Sequence, residues 1–398
     1  MSENKALHAA KDAKNDEFYT QYSDIESEMN AYIEFNPAVF KNKVILCPCD
    51  DPEWSNFTKY FATNFERFEL KKLISTSYAQ SAGSKQMTMF EMNSPLYDES
   101  KHDTHGKLFV LERDEDGSGH IDTDDIEFSG YLEGDGDFRS EEVKKLRDEA
   151  DIIITNPPFS LFRDFLAWIR EAEKDFILIG NKNAITYKEV FPLLKNNEMW
   201  LGPGFPGGNA YFRIVPEDVR DFASGVYDAN TGLVKFRNIC WFTNIDHGKR
   251  HETLLLDTMA HNLKFNKRLR KKLEKDYGRI EYPYYDNYCA IEIPFVDAIP
   301  SDYDGIMGVP ITFIDKFNPN QFEIIGMDGN DFAEELGIKA IGEDWVNKYK
   351  KAGGTGHITA NMHSLVLMGN GVGVTVYKRI LIRAIRKEKA ADENNLSD

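Results

Sequence analysis

The chain has 398 residues, 41% hydrophobic and 13% aromatic, with a formal net charge of −18. That length and apolar content exclude a disordered or fibrous protein and predict one large domain with a substantial addition, or two packed domains. The charge tells against nonspecific coating of nucleic acid, which draws its affinity from lysine and arginine. It is unevenly spread, however: between Asp98 and Asp151, 19 Asp or Glu stand against 7 Lys or Arg, two thirds of the whole excess.

No apolar stretch reaches the roughly 20 residues of a bilayer span, and the N-terminus lacks the apolar core of a secretory signal, so a soluble, cytoplasmic protein without a membrane partner is expected. Four cysteines without a CxxC pair read as reduced thiols and assign no metal site.

Residues 1–16 are polar and expected to be flexible, and 388–398 form a low-hydrophobicity tail expected to be disordered. A helical pattern from Asp24 to Phe40 leads into a buried strand, Lys43 to Cys47, ending at Pro48, Asp50 and Asp51. An amphipathic helix follows from Asn56 to Phe68, then a strand from Lys71 to Ser77. Two alternating runs, Lys107 to Glu112 and Ile126 to Leu132, flank a Gly- and Asp-rich stretch and predict an acidic hairpin. After a helical stretch from Glu141 to Glu149 comes the clearest strand, Asp151 to Thr155, running into Asn156-Pro-Pro-Phe159. Ser160 is placed to cap a helix whose stripe runs from Leu161 to Ile169, and Phe176 to Gly180 is the next strand. Apolar strands alternating with helices predict an α/β fold with a mostly parallel central sheet, whose ligands sit at the carboxyl ends of the strands. Leu201 to Gly208 reads as loop and Asn238 to Asn244 as strand. Farther on lie a basic run from Lys264 to Arg279, strands containing Ile311 to Ile314 and Phe322 to Gly326, and a second basic run from Lys378 to Lys389.

The tetrapeptide Asn156, Pro157, Pro158, Phe159 carries the chemistry. Two prolines supply no N–H, so nearby carbonyls stay free to accept; the Asn156 amide oxygen is a second acceptor and Phe159 a flat apolar face. An amino group on a planar ring fits this set: two acceptors take its hydrogens and draw its nitrogen toward tetrahedral geometry, exposing the lone pair.

This tetrapeptide resembles motif IV of S-adenosylmethionine-dependent amino methyltransferases, in which the aromatic-ended form acts mostly on the 6-amino group of adenine in DNA. With Asp16-Glu-Phe-Tyr-Thr-Gln-Tyr22, Cys47-Pro-Cys-Asp-Asp-Pro52, Lys71-Lys-Leu-Ile74, Gly134-Asp-Gly-Asp-Phe-Arg139 and Asp304-Gly-Ile-Met-Gly-Val-Pro310, it is similar to the EcoRI-type adenine-specific DNA methyltransferase family, from about residue 16 to about 385. The resemblance implies a Rossmann-like methyltransferase with S-adenosylmethionine as cofactor and double-stranded DNA as partner, in a gamma-like motif order. It also implies either a restriction-modification enzyme that shares its target with a cognate restriction endonuclease or an orphan or phage modification enzyme. It places Phe18, Tyr19 and Thr20 over the methionine end of the cofactor, Cys47, Pro48, Cys49, Asp50 and Asp51 in the cofactor loop, and Asp137 and Phe138 near its adenine. The implied organisation is a catalytic domain over 17–250, with the acidic hairpin 98–135 as an insertion, and a target-recognition region over 251–387. A monomer is compatible with it.

Two departures matter. The first loop has no GxG, and the second strand ends in Ser75, Thr76 and Ser77 instead of the acidic residue that usually holds the ribose; Asp50 or Asp51 is expected in that role. A competing signal is the stretch Asp114 to Asp125, which fits a calcium loop at most positions but is flanked by strands and ends in Asp where a bidentate Glu belongs. The same acceptors would serve cytosine, RNA adenine or a protein glutamine, and a catalytically inactive DNA-binding or decoy protein is the reading from another class.

Overall fold

A computed structural model of the chain describes residues 18–79, 89–92, 94–205, 208–214, 222, 224–329, 331–369 and 372–386. The expected flexible segment 1–16 and the tail 388–398 lie outside the described residues, as do Asp16 and Glu17 of the first motif and Lys387 and Lys389 of the second basic run. The chain divides into two compact units, Met1–Val190 with Glu198–Gly248, and Phe191–Asn197 with Lys249–Asp398.

The strands of the first unit are β1 (Tyr19–Thr20), β2 (Val44–Cys47), β3 (Lys72–Thr76), β4 (Lys107–Leu111), β5 (Glu127–Tyr131), β6 (Ile152–Thr155), β7 (Asp175–Asn181), β8 (Trp200–Leu201), β9 (Ala210–Arg213), β10 (Tyr227–Asp228), β11 (Leu233–Phe236) and β12 (Ile239–Thr243). Eight form one sheet in the order β5-β4-β3-β2-β6-β7-β12-β8. Its four central strands, β3, β2, β6 and β7, are mutually parallel, whereas β4, β5, β12 and β8 add through antiparallel pairings. The sheet is therefore mixed instead of mostly parallel. Parallel neighbours require a long crossover, which the helices Asn56–Thr63, between β2 and β3, and Phe162–Glu171, between β6 and β7, provide; β4 and β5 pair with each other across the Gly- and Asp-rich stretch.

Every residue of β2 and β6 is buried, as expected of strands covered on both faces. The Asn56–Thr63 helix buries Phe57, Tyr60 and Phe61, and Ser55 caps it by accepting from Phe57 N. The first helix runs Tyr22–Phe35 and ends before Pro37, short of the expected Phe40, because the residue preceding proline is turned out of helical geometry. Ser160 is not a cap. Leu161 N donates to the Pro158 carbonyl at 2.9 Å, which places Ser160 inside a 3₁₀ turn, Phe159–Leu161, and the α-helix starts only at Phe162.

A second sheet of this unit, β1-β9-β11-β10, is antiparallel throughout. It matters because β1 pairs Tyr19 with Arg213 and Thr20 with Phe212, which pins the N-terminal segment.

The second unit contains β13 (Ile291–Glu292), β14 (Met307–Pro310), β15 (Phe322–Met327), β16 (Val366–Gly369), β17 (Val372–Thr375) and β18 (Arg379–Ala384). A four-stranded sheet in the order β13-β14-β18-β15 and a hairpin β16-β17 make its framework. Ile311 to Ile314, expected as strand, belongs to a 3₁₀ turn, Ile311–Lys316, entered through Pro310 at φ −57°; a four-residue apolar run carries too little periodicity to separate the two. The Lys267–Tyr277 helix turns Leu269, Leu273 and Tyr277 inward. Among the described residues no helix is long and apolar enough to cross a membrane.

Candidate active site

The carboxyl ends of β2, β3 and β6 bring together the loop Cys47 to Ser55, the segment Ser75 to Ala79 and the turn Asn156 to Phe159. Pro48 is tied to the end of β6 by Thr155 Oγ1, which donates to its carbonyl at 2.8 Å. The turn after β6 is oriented from β1: Asn156 Nδ2 donates to the Phe18 carbonyl at 2.6 Å. That bond fixes the amide plane and leaves Asn156 Oδ1 buried without a hydrogen-bond partner. The carbonyl of Pro157 likewise receives no protein donor among the described residues.

The two neighbouring aspartates of the first loop behave differently. Both oxygens of Asp50 are used, Oδ1 by Ser55 Oγ at 2.8 Å and Oδ2 by Thr155 Oγ1 at 2.6 Å; its carbonyl also accepts from Ser75 Oγ. Asp50 thus cross-links the loop to β3 and β6. Asp51 accepts from Glu53 N through Oδ1 at 2.9 Å, but its Oδ2 is buried and unpartnered. Burial pushes the Asp51 carboxyl up to about 6, against a smaller lowering effect of the Glu53 N–H. Thr20 Oγ1 and Trp54 Nε1 are also buried without partners. Four unsatisfied polar atoms, on Thr20, Asp51, Trp54 and Asn156, therefore belong to this one group of segments. A buried polar atom without a partner costs on the order of 1–3 kcal/mol, and these four are the donors and acceptors this group of segments offers a ligand.

The remaining expected residues take different positions. Cys47 ends β2 fully buried, and burial pushes its thiol up. Cys49 is half-buried and adopts φ +65°, in the left-handed region that favours glycine. Phe18 stacks on Phe159 with ring centroids 6.0 Å apart and an interplanar angle of 20°; Phe212 and Phe236 close the same aromatic cluster. Tyr19 lies 6.2 Å from Trp54, ring to ring. The 134–138 loop packs across the end of β3: a Cβ on Gly136, at φ +84°, would fall 2.3 Å from the Ser77 carbonyl oxygen, so only glycine permits this approach. Beyond it the Asp137 carboxyl is lowered from its ordinary value by side-chain hydrogen bonds from Arg139. Phe138 is buried against Phe165 and Trp168, with centroids 4.9 and 5.6 Å away, so its ring packs the core.

Trp54 escaped the sequence reading; the signal was a tryptophan inside a polar strand-end loop. Two other features stand apart from the site. A cavity of about 820 Å³ opens beside the same loop, lined by Tyr22, Pro52, Glu53, Lys59 and Phe90, but by none of the four residues above. At the tip between β4 and β5, carboxylate oxygens of Asp114, Asp116 and Asp125 lie within 4.8 Å of one another. Backbone N–H groups of Gly117 and Gly119 donate to Asp114, and those of Glu115, Asp116 and Asp122 to Asp125, an arrangement that a calcium loop and an acidic turn share.

An open α/β sheet with a proline-locked acceptor pair at a strand end is the arrangement of an amino-group methyltransferase. The chain matches the family described as "Adenine-specific methyltransferase EcoRI" over residues 6–385. It belongs to that family, and it is an enzyme of the adenine-specific methyltransferase class. It is 42% identical over 337 residues to "Type II methyltransferase M.EcoRI" of Escherichia coli, covering 83% of this chain and 92% of that one. It is 32% identical over 333 residues to "Type II methyltransferase M.MgeORF184P" of Mycoplasma genitalium, covering 82% and 87%. With "Type II methyltransferase M.MpnI" of Mycoplasma pneumoniae it shares 32% identity over 330 residues, again covering 82% and 87%. No solved structure matches the chain significantly.

Proposed function

We propose that this protein transfers a methyl group from S-adenosylmethionine to the 6-amino group of an adenine in a specific sequence of duplex DNA, as the modification partner of a cognate restriction endonuclease or as a stand-alone modification enzyme. The observation that carries the proposal is the buried, unpartnered Asn156 Oδ1, held in orientation by the Phe18 carbonyl. The four central parallel strands, with the site at their carboxyl ends, support a Rossmann-like catalytic domain. On this reading the second unit supplies target recognition.

The site residues fit the cofactor on the chemistry of their free atoms. Asp51 Oδ2 is an acceptor for a ribose hydroxyl or an ammonium, Trp54 Nε1 is a donor, and Thr20 Oγ1 can serve as either. Asp51, with its free oxygen, is thereby preferred to Asp50 for the ribose. When bound, S-adenosylmethionine supplies an electrophilic methyl group on a sulfonium. The chain's own part is positioning and electrostatics. Because the reacting nitrogen is engaged in base pairing, the adenine must leave the duplex. Asn156 Oδ1 and the Pro157 carbonyl accept its two amino hydrogens, which draws the nitrogen toward tetrahedral geometry and frees its lone pair. One face of Phe159 is taken by Phe18, so the base stacks on the opposite face. Attack is direct, and no covalent enzyme intermediate is required.

Replacing Asn156 with alanine removes one preorganised acceptor and should lower the transfer rate by about 10²–10³-fold, while calorimetric titration still shows cofactor binding. Near-normal methylation of adenine by Asn156→Ala, measured with labelled cofactor and nucleoside digestion, would overturn the proposal.

A further inference from the structure

We infer that the solvent face of the Lys267–Tyr277 helix binds the phosphate backbone of duplex DNA; this rests on the methyltransferase reading above and gives it a docking surface. In a chain of net charge −18, residues 264–279 carry eight basic residues, Lys264, Lys267, Arg268, Arg270, Lys271, Lys272, Lys275 and Arg279, against Glu274 and Asp276. Leu269, Leu273 and Tyr277 anchor the helix by its other side, and all six of its cations are exposed.

Packing and caps hold this helix, but its charges work against it. Lys267 with Lys271, Arg268 with Lys272 and Lys271 with Lys275 are like charges one turn apart, which destabilise a helix. Its first turn contains no acid, so Lys267, Arg268 and Arg270 face the positive end of the macrodipole. Only Lys272 closes an ion pair within the helix, with Asp276 at 2.6 Å. Lys267, Lys271 and Lys275 have no acidic partner among the described residues, and the Arg268 guanidinium carbon lies over the Phe295 ring, 3.7 Å from its centroid.

The other basic run supplies the contrast. Arg379 is bound by Glu292 at 2.6 Å, Arg383 lies 3.7 Å from Glu323, and Arg386 pairs with Asp304, so the described arginines of that run are neutralised within the protein. The helix instead leaves its repulsion unrelieved, and a polyanion relieves it. Arg268, Lys271 and Lys275 share one face and span about 10 Å along the axis, which matches about three phosphates of one strand at ~3.4 Å of axis each.

The test compares the full-length wild type with Lys271→Gln/Lys275→Gln and the charge-keeping Lys271→Arg/Lys275→Arg, using duplex DNA over a series of salt concentrations. Each lost phosphate contact should reduce the slope of log affinity against log salt by about 0.9, so the glutamine variant should lose about 1.8 and bind about tenfold more weakly at moderate salt. The arginine variant should match wild type, and cofactor titration should be the same for all three. An unchanged slope in the glutamine variant overturns the surface, as does an equal loss in the arginine variant, which would trace the effect to folding. Wild-type protein that binds DNA with this slope but leaves adenine unmodified would instead overturn the methyltransferase reading.

Discussion

Two buried carboxylates, one in each unit, show what burial means in this molecule. Glu292 in the second unit is 1% exposed and completely used: Arg379 donates to both its oxygens and Tyr285 OH to Oε2. Asp51 in the first unit is 5% exposed and half used, with one oxygen on the Glu53 N–H and the other on nothing. The first is a structural element whose oxygens both have donors within the fold. The second carries an uncompensated cost, which on the proposed function a bound cofactor removes. Depth alone separates nothing; hydrogen-bond satisfaction does.

The sharpest way to break this comparison is to remove the compensation in the second unit. Arg379→Met leaves the Glu292 charge buried without its cation, and breaking a buried pair from one side costs about 3–5 kcal/mol. Chemical denaturation should show that loss. If Arg379→Met unfolds at the wild-type denaturant concentration, the pair is not structural.

Asp51→Asn should act in the opposite direction. The folded-state carboxyl stands at about 6 against 3.8 ordinarily, so the folded protein binds this proton more tightly than the unfolded chain does. Stability therefore falls as pH rises from about 4 to about 6, and at pH 7 the ionised group costs up to about 3 kcal/mol. Asparagine removes that cost, so the ligand-free variant should be more stable than wild type at pH 7 and its stability flatter across that window. Cofactor affinity should fall at the same time, and in the wild type it should weaken as pH drops below 6. A variant that is destabilised at pH 7, or that binds cofactor as tightly as wild type, would make Asp51 a structural group like Glu292.

How much of this was legible in the sequence follows from where each partner lies. The Asn156 turn was readable because its chemistry is local: strand, amide, two prolines and an aromatic stand in one short run. The strands Val44–Cys47 and Ile152–Thr155 were readable from their unbroken apolar character. The division of labour between Asp50 and Asp51 was not, because Asp50 is claimed by Thr155, 105 residues away, and no local pattern encodes that bond. The β4-β5 hairpin was legible, but its antiparallel addition to β3, and the antiparallel pairing of β12 with β7 and β8 at the other edge, were hidden for the same reason: chain direction depends on the connection as well as on strand composition.

The missing glycine of the first loop yields the last and smallest expectation. The loop has no GxG, and its Cys49 turns the backbone at φ +65°, where glycine is the favoured residue. A left-handed conformation costs a residue with Cβ about 1–2 kcal/mol, part of which glycine gives back through the entropy of its unfolded state. Cys49→Ala keeps the strain and Cys49→Gly relieves it, so the glycine variant should be the more stable of the two by about 1 kcal/mol in thermal or chemical denaturation. Asp51 is two residues on, so the glycine variant should also retain cofactor binding, since the turn it makes is the one already present. Should alanine prove as stable as glycine, the left-handed turn at Cys49 is not held in the folded protein, and the orientation of Asp51 needs another cause.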